Sequence, residues 1–177
     1  AGKHSRLEAA YPTDDWGDRR ILTVLFPTNA AHRPADLRRL QGADHHGVAA
    51  TFSRTVTDII LTSDADRTID AHGIRFRAGA AIVRTINTSG AGFYFARQGT
   101  ELRHGRVGFA SDAPVSIHMR GPTGHVTSAA GAKVTFHHPD VTAVRIDGDR
   151  ADALEYAAGA VQVAVPAGRH AVELVTR

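Results

Sequence analysis

The chain has 177 residues, of which 42% are hydrophobic and 22% charged, a composition typical of one globular domain with a substantial core. It contains no cysteine, which excludes disulfide frameworks and thiolate metal sites. The net charge of +3 arises from 21 basic and 18 acidic residues scattered along the chain, and this argues against a concentrated nucleic-acid-binding patch. No apolar run approaches the roughly 20 residues of a membrane-spanning helix. We therefore expect neither a nucleic-acid nor a membrane partner.

The basic residues are almost all arginines, because Lys3 and Lys133 are the two lysines in the sequence. Arginine forms bidentate contacts with carboxylate, sulfate-like and phosphate groups. The preference is explained either by compositional bias or by an acidic ligand, and the sequence leaves both explanations open.

Residues 1–20 lack any clean periodicity, and Pro12 and the acidic residues that follow it are typical of a loop. We predict a lead-in loop or linker over residues 1–20 and a folded domain over residues 21–177. Tyr11 and Trp16 lie on the predicted loop. Such an aromatic pair either stacks on a sugar ring or covers the edge of a core.

Short apolar runs separated by Gly, Asp and Pro turns dominate the rest of the chain. Residues 21–26, 48–56 and 57–84 illustrate the pattern, and the last of these reads as a strand–turn–strand–turn–strand meander. Further strands are predicted up to residue 175, with a turn at 98–100. Residues 29–41 are predicted to form one short helical patch, with a charged loop as the alternative. The spacing predicts an all-β fold built as a two-sheet antiparallel β-sandwich, with a closed β-barrel as the alternative.

The run Val115, Ile117 and Met119 alternates with polar residues, including His118. A strand that is buried on one side places its apolar set on the core and the alternate set in solvent. We therefore predict that Val115, Ile117 and Met119 point inward while Ser116, His118 and Arg120 point outward.

Two pairs of adjacent histidines invite a metal interpretation, His45-His46 beside Asp44 and a second pair at residues 137–138. Neighbouring side chains of a strand point to opposite faces, so an adjacent pair does not ligate one ion without a partner from elsewhere. We predict no metal and no cofactor. His45 and His46 are kept, together with Tyr11 and Trp16, as candidate carbohydrate contacts.

Recognisable catalytic motifs are absent from the sequence, which has no G-x-S-x-G, no H-E-x-x-H and no glycine-rich phosphate loop. Asp64 with Asp66 and Asp147 with Asp149 form carboxylate pairs. Both pairs lie in predicted turns, where aspartate is favoured for backbone reasons. We therefore assign no catalytic residue.

The order of several segments resembles the C-terminal β-sandwich of heparinase II/III-like polysaccharide lyases. The segments are RRILTVLFPT at 19–28, TDIIL at 57–61, FARQGTELRHGRVGFA at 95–110, VRIDG at 144–148 and VQVAVPAGRHAVE at 161–173. The resemblance covers nearly the whole chain from residue 19 onward, and it depends on the order and spacing of the segments more than on any single one.

That resemblance implies β-elimination at a uronic acid in the parent protein, with the chemistry supplied by an α/α toroid and the first part of a β-rich region. This sequence has no toroid, so the resemblance implies an accessory domain that packs on the toroid and the central β domain and contacts acidic polysaccharide. It also implies a secreted or periplasmic location. The alternatives are a free-standing carbohydrate-binding module and an enzyme with a histidine-based site on one sheet.

Overall fold

The computed structural model of the protein describes residues 5–6, 25–26, 36–64, 66–86 and 91–177. Within these ranges the chain forms strands, turns and loops and contains no helix, and every pair of neighbouring strands is antiparallel. The all-β prediction is therefore confirmed. No helix that could cross a membrane occurs among the described residues.

The first eight strands are β1 (Ser5–Arg6), β2 (Leu25–Phe26), β3 (Asp36–Gln41), β4 (His46–Ser53), β5 (Val56–Thr62), β6 (Ile69–Ala71), β7 (Ile74–Arg77) and β8 (Ala80–Ile86). The next nine are β9 (Ala91–His104), β10 (Val107–Arg120), β11 (Thr123–Ser128), β12 (Ala132–His137), β13 (Val141–Ile146), β14 (Asp149–Arg150), β15 (Ala153–Ala157), β16 (Ala160–Val165) and β17 (Gly168–Thr176).

Fifteen of the described strands form one hydrogen-bonded network that divides into two layers and does not close into a barrel. The first layer has the order β14-β13-β17-β11-β10-β9-β8-β5-β4-β3, and the second has the order β6-β7-β9-β10-β12-β16-β15. Strands β1 and β2 pair separately with each other. β13 lies against β16 without pairing with it, as expected where two layers stack face to face. The fold is therefore a β-sandwich.

The long strands β9 and β10 belong to both layers. β9 pairs with β8 up to Arg97 and with β7 from Glu101 onward. β10 pairs with β12 as far as Ser111 and with β11 from Val115 onward. Between these segments the β9–β10 register shifts, and Gln98 has a left-handed φ of 49°. Bulges of this kind bend a strand, which lets one hairpin pass from one layer into the other.

One hydrophobic core lies between the layers and includes side chains from both of them. Ile117 and Met119 of β10 are 1% and 0% exposed, whereas His118 and Arg120 are exposed. The predicted inward set and the outward positions of His118 and Arg120 are therefore confirmed, while Ser116, also predicted to face outward, is half-buried. The largest fully buried side chains include Tyr94, Phe76, Phe109, Phe136, Leu61, Ile74, Leu102, Ile117 and Met119.

Three local predictions are wrong. The helix predicted at 29–41 is contradicted by β3, which pairs with β4, while residues 29–35 lie outside the described ranges. The strand predicted at 48–56 is interrupted by a turn at Arg54 and Thr55 between β4 and β5. The turn predicted at 98–100 is a bulge within the continuous strand β9.

The predicted meander over residues 57–84 is right in its outer two strands and wrong in its middle strand and its pairing, because the segment predicted as one middle strand is the hairpin β6–β7. β5 pairs directly with β8, and the β6–β7 hairpin between them joins the other layer through β9. Local turn signals cannot reveal this, because they do not specify which strand a hairpin will pair with. The predictions for residues 1–20 and 21–26 fall outside the described residues, apart from the short strands β1 and β2, and the domain boundary at residue 20 stays a prediction.

The buried position of Ile117 makes a sharp comparison with its exposed neighbour possible. Ile117→Asp introduces an unpaired carboxylate into the core and leaves a packing defect, and core truncation alone costs about 2–5 kcal/mol. His118→Ala removes contacts only at the surface. Thermal melts should show Ile117→Asp unfolding at a much lower temperature or failing to fold, with His118→Ala close to the native melting temperature. The opposite ranking would mean that the register of β10 is off by one residue.

Candidate functional site

The outer face of the first layer carries a cleft of about 440 Å³ that we call the outer cleft. Four neighbouring strands, β10, β11, β17 and β13, supply most of its walls, and the turn after β13 supplies the rest. Its lining side chains combine arginine, histidine, threonine and glutamate. They are His118, Arg120, Thr123, His125, Arg145, Val172 and Glu173, with Gly124, Gly148 and Ala171.

Strand register explains why these polar residues gather. His118 lies opposite His125, and Arg120 lies opposite Thr123, across the β10–β11 hairpin. The row continues from Thr123 to Glu173 and from Glu173 to Arg145 on the next two strands. Because residues opposite each other share a face of the sheet, the inward direction of Ile117 and Met119 sends the whole row outward.

The β10–β11 hairpin holds this register with a two-residue turn. Gly121 occupies the first central position with a φ of 58°, which type II′ turns require. Gly124 then lies against β10 so closely that a Cβ atom there would approach the His118 carbonyl oxygen to 2.0 Å. Any larger residue at 124 would separate the strands that carry the two histidines.

The charges in the outer cleft are unequally paired. Arg145 forms a loose ion pair with Glu173, with 3.5 Å between Nη1 and Oε2, and both side chains are about half exposed. Arg120 is exposed, and no carboxylate of the described residues forms an ion pair with it. The cleft therefore presents at least one guanidinium that is available to an anionic ligand.

His125 adds an unusual feature to the cleft wall. Its Nδ1 atom is buried and has no hydrogen-bond partner among the described residues. A buried polar atom without a partner costs roughly 1–3 kcal/mol. A buried polar atom without a partner calls for an explanation, and a functional role of the group is one such explanation.

Beyond the cleft lies a surface that we call the aromatic shelf, which consists of Phe93, Arg84 and Phe52. Phe93 on β9 lies opposite both Arg120 and Arg84, so it sits between two guanidinium-bearing positions. Arg84 donates two 2.7 Å hydrogen bonds to the Asp58 carboxylate. Hydrogen bonding to Asp58 raises the pKa of Arg84. Its guanidinium carbon also lies 5.7 Å from the centre of the Phe52 ring.

The Phe93 ring also contacts the cleft directly. It packs edge-on against His118, with ring centroids 5.1 Å apart and an interplanar angle of 67°. Half-buried aromatic rings offer both an apolar face and a fixed orientation. The outer cleft and the aromatic shelf therefore form one continuous surface that runs across the strands.

A histidine–aspartate clamp holds one rim of the cleft. His170 Nδ1 lies 2.7 Å from Asp147 Oδ2, and Asp147 Oδ1 accepts a 2.8 Å hydrogen bond from the Ala171 amide. The bond to Asp147 raises the pKa of His170, and the same bond lowers the pKa of Asp147. Asp147 and Gly148 have φ values of 52° and 94°, so the predicted tight turn is confirmed as a type I′ hairpin turn. The clamp fixes this turn beside the cleft.

The predicted carbohydrate contacts are not the residues that line the outer cleft. Tyr11 and Trp16 lie outside the described residues. His45 is 8% exposed and packs against His72, and His46 begins β4 half-buried. These four assignments stay predictions.

Two further expectations can be compared with the structure. Tyr94, an aromatic residue of β9, is 2% exposed and cannot stack on a ligand. The pair at residues 137–138 does not form a metal cluster, because no group of three His, Cys, Asp or Glu side chains able to hold an ion occurs in the described ranges. Burial lowers the pKa of His137 to about 4.

Sequence reasoning missed the members of the cleft, although part of it could have been found. The Gly121-Pro122 turn places His118 opposite His125 by counting outward from the turn, and alternation already predicted that His118 faces outward. Arg145 and Glu173 could not be added in the same way, since they arrive through strand pairings that no local pattern specifies.

No protein-family model matches the sequence, and no curated protein matches it either.

The His170–Asp147 clamp has a pH window set by its two partners. His170 has a folded-state pKa above its ordinary value of 6.5, so its stabilising contribution is fully present below pH 6.5 and is lost as pH rises through the raised value. Asp147 has a folded-state pKa below its ordinary value of 3.8, so its contribution is present above 3.8 and is lost as pH falls through the lowered value. The clamp is strongest between these two limits.

We expect an NMR titration of the His170 ring to give a pKa above 6.5 in the native chain. Asp147→Asn should bring that pKa down, whereas Asp149→Asn, a change of an exposed carboxylate in the same hairpin, should leave it nearly unchanged. Equal effects of the two variants would show that general charge, and not the clamp, sets the pKa of His170.

Proposed function

We propose that this domain binds acidic polysaccharide in the outer cleft and serves as the accessory C-terminal β-sandwich of a polysaccharide lyase. The observation that carries the proposal is the convergence of Arg120, Arg145, His118 and His125 on one outward-facing cleft. Uronic acids carry a carboxylate on each sugar, and arginine is the side chain best suited to bind a carboxylate in two-point geometry.

Each part of the surface suits a different part of such a ligand. Arg120 offers an exposed guanidinium to a ligand carboxylate, and Arg145 can exchange its long contact with Glu173 for a second carboxylate. Thr123 and Glu173 supply hydrogen-bonding groups for sugar hydroxyls. Phe93 offers a half-buried apolar ring beside the cleft for the C–H side of a sugar ring.

The cleft supports binding better than elimination. A histidine-based enzyme would need a histidine, a tyrosine and an arginine within hydrogen-bonding reach of one another, and no tyrosine lines the outer cleft. The two histidines there supply charge and hydrogen bonds, and we assign them no catalytic role. The chemistry is left to the rest of the proposed parent protein.

The edge strand β15 favours an accessory domain over a free-standing carbohydrate-binding module. All five of its residues are exposed, and Leu154 and Tyr156 are 49% and 56% exposed. Open edge strands with apolar side chains are usually covered in stable proteins, since they invite pairing or aggregation. Such an edge is expected of a domain that packs on other domains of the same chain.

Arg120→Ala should weaken the binding of an acidic oligosaccharide about tenfold or more, since a charge-assisted hydrogen bond contributes about 1.5–3 kcal/mol. Isothermal titration with defined oligosaccharides of alginate, hyaluronan and heparin type, at one fixed salt concentration, measures the loss. Arg77→Ala is the matched control, because Arg77 is an exposed arginine on the outward side of the second layer. Its replacement removes one positive charge, as Arg120→Ala does.

Equal losses in Arg120→Ala and Arg77→Ala would show that binding follows net charge and not the cleft. Failure of the native chain to bind any of the three acidic polymers would remove the proposed function altogether. A neutral oligosaccharide of the same length serves as the negative control for both comparisons.

The isolated chain should bind these polymers without cleaving them. Lyase action leaves a conjugated carbon–carbon double bond in the product, which absorbs ultraviolet light, so continuous absorbance recording detects it. No rise in absorbance is expected with any acidic polymer. A rise that persists through purification and disappears in His118→Ala would mean that the cleft is catalytic.

A further inference from the structure

Two histidines that are distant in sequence meet at one end of the sandwich. His45 lies in the loop between β3 and β4, His72 lies in the turn between β6 and β7, and their Nε2 atoms are 3.2 Å apart. The rings meet edge to face, with centroids 5.3 Å apart and an interplanar angle of 75°. The pair connects an element of the first layer with an element of the second.

His72 lies in a turn whose backbone is best suited to asparagine. His72 and Gly73 are the central residues of the β6–β7 hairpin turn, with φ values of 56° and 76°. Both positions of a type I′ turn need positive φ, and Asn-Gly is the preferred pair. A histidine at the first position has a less favourable backbone than asparagine, and it places an imidazole against His45.

The ring of His45 is fixed on its other side. His45 is 8% exposed, and a Cβ atom at Gly42 would lie 2.3 Å from its Cε1 atom, so only glycine leaves room for the ring. The Gly42 amide also donates a 3.0 Å hydrogen bond to the His45 carbonyl oxygen, which closes the loop around it. The position of the Nε2 atom is therefore set by the fold before any ligand arrives.

The separation of the two nitrogens suits a shared metal ion. Imidazole nitrogens bind Zn²⁺ at about 2.0–2.1 Å, and two such ligands at a tetrahedral angle lie about 3.4 Å apart. We propose that His45 and His72 form a two-histidine site for a divalent transition metal such as Zn²⁺, Ni²⁺ or Cu²⁺, in which each ring donates its Nε2 lone pair to the ion. Imidazole is a preferred ligand type for these ions.

The two rings are the ligands that the described chain supplies to this site. Asp44 is the neighbouring carboxylate, and it is engaged in an ion pair with Arg67. The described residues offer no third ligand, so water or an added ligand completes the coordination.

His72→Asn is the decisive variant, because asparagine is well suited to the turn and removes the imidazole without harming the fold. Zinc chloride titrated into the native chain, followed by calorimetry and by thermal melting, should give one site of highest affinity and a raised melting temperature. His72→Asn should keep the melting temperature of the metal-free chain, lose the rise on adding zinc, and bind zinc at least tenfold more weakly. His118→Ala, which removes a histidine of the outer cleft, should bind zinc with the affinity of the native chain.

Zinc binding that is equal in the native chain and in His72→Asn would overturn the site, and the 3.2 Å contact would then be a hydrogen bond between the two rings. Loss of zinc binding in His118→Ala instead would assign the ion to the outer cleft and would equally overturn it. NMR of the histidine rings supplies a second readout, since zinc should shift the His45 and His72 signals first.

Discussion

The β9–β10 hairpin is the constraint on which the rest of the structure depends, because it is the part of the described chain that belongs to both layers. The passage of this hairpin from one layer to the other requires its backbone to lie very close to neighbouring strands at two glycines. A Cβ atom at Gly99 would lie 2.5 Å from the Ala78 Cβ, and a Cβ atom at Gly108 would lie 2.0 Å from the Leu102 carbonyl oxygen. Gly108 also has a φ of 145°. Side chains at these positions would push the neighbouring strands apart and separate the layers.

The buried side of the hairpin connects this crossing with the core. Tyr94 of β9 is buried, burial raises its pKa, and its hydroxyl lies 3.4 Å from the Gly108 carbonyl oxygen that it can donate to. Phe109 and Ile117 of β10 lie in the same core although they belong to different layers. Because the inward side of β10 is fixed in this way, its outward side is fixed as well, and His118 and Arg120 are presented in the outer cleft. The site thus follows from core packing and not from a functional loop.

Local patterns predicted the parts of the fold that depend on neighbouring residues. The alternation around Ile117 gave the correct faces of β10, and Asp147-Gly148 gave a correct hairpin turn, because both depend on residues a few positions apart. Residues 36–41 were predicted as helix since Leu37 and Leu40 are three apart, a spacing that suits a helix. In the structure this segment is an edge strand with Leu40 buried and Leu37 partly exposed, so pairing with β4 overrides the local pattern.

Contacts between distant segments could not be predicted in the same way. The β6–β7 hairpin joins the second layer, and this choice of partner brings His72 to His45. Arg145 reaches the row of Arg120 only through three successive strand pairings, across the two intervening strands β11 and β17. Each step depends on where the crossing of β9 and β10 places the strands. The residues of both candidate sites are therefore assembled by topology, and their sequence positions carry no common motif.

The claim that the outer cleft binds acidic polysaccharide is tested most directly by mapping a bound ligand on the isotope-labelled domain by NMR. Addition of an acidic oligosaccharide should shift the backbone signals of β10, β11, β13 and β17 around His118, Arg120 and Glu173, with the exposed strand β15 and the outward side of the second layer left unchanged. Shifts centred on β15 or on the second layer, or shifts spread evenly over the exposed arginines, would contradict the account.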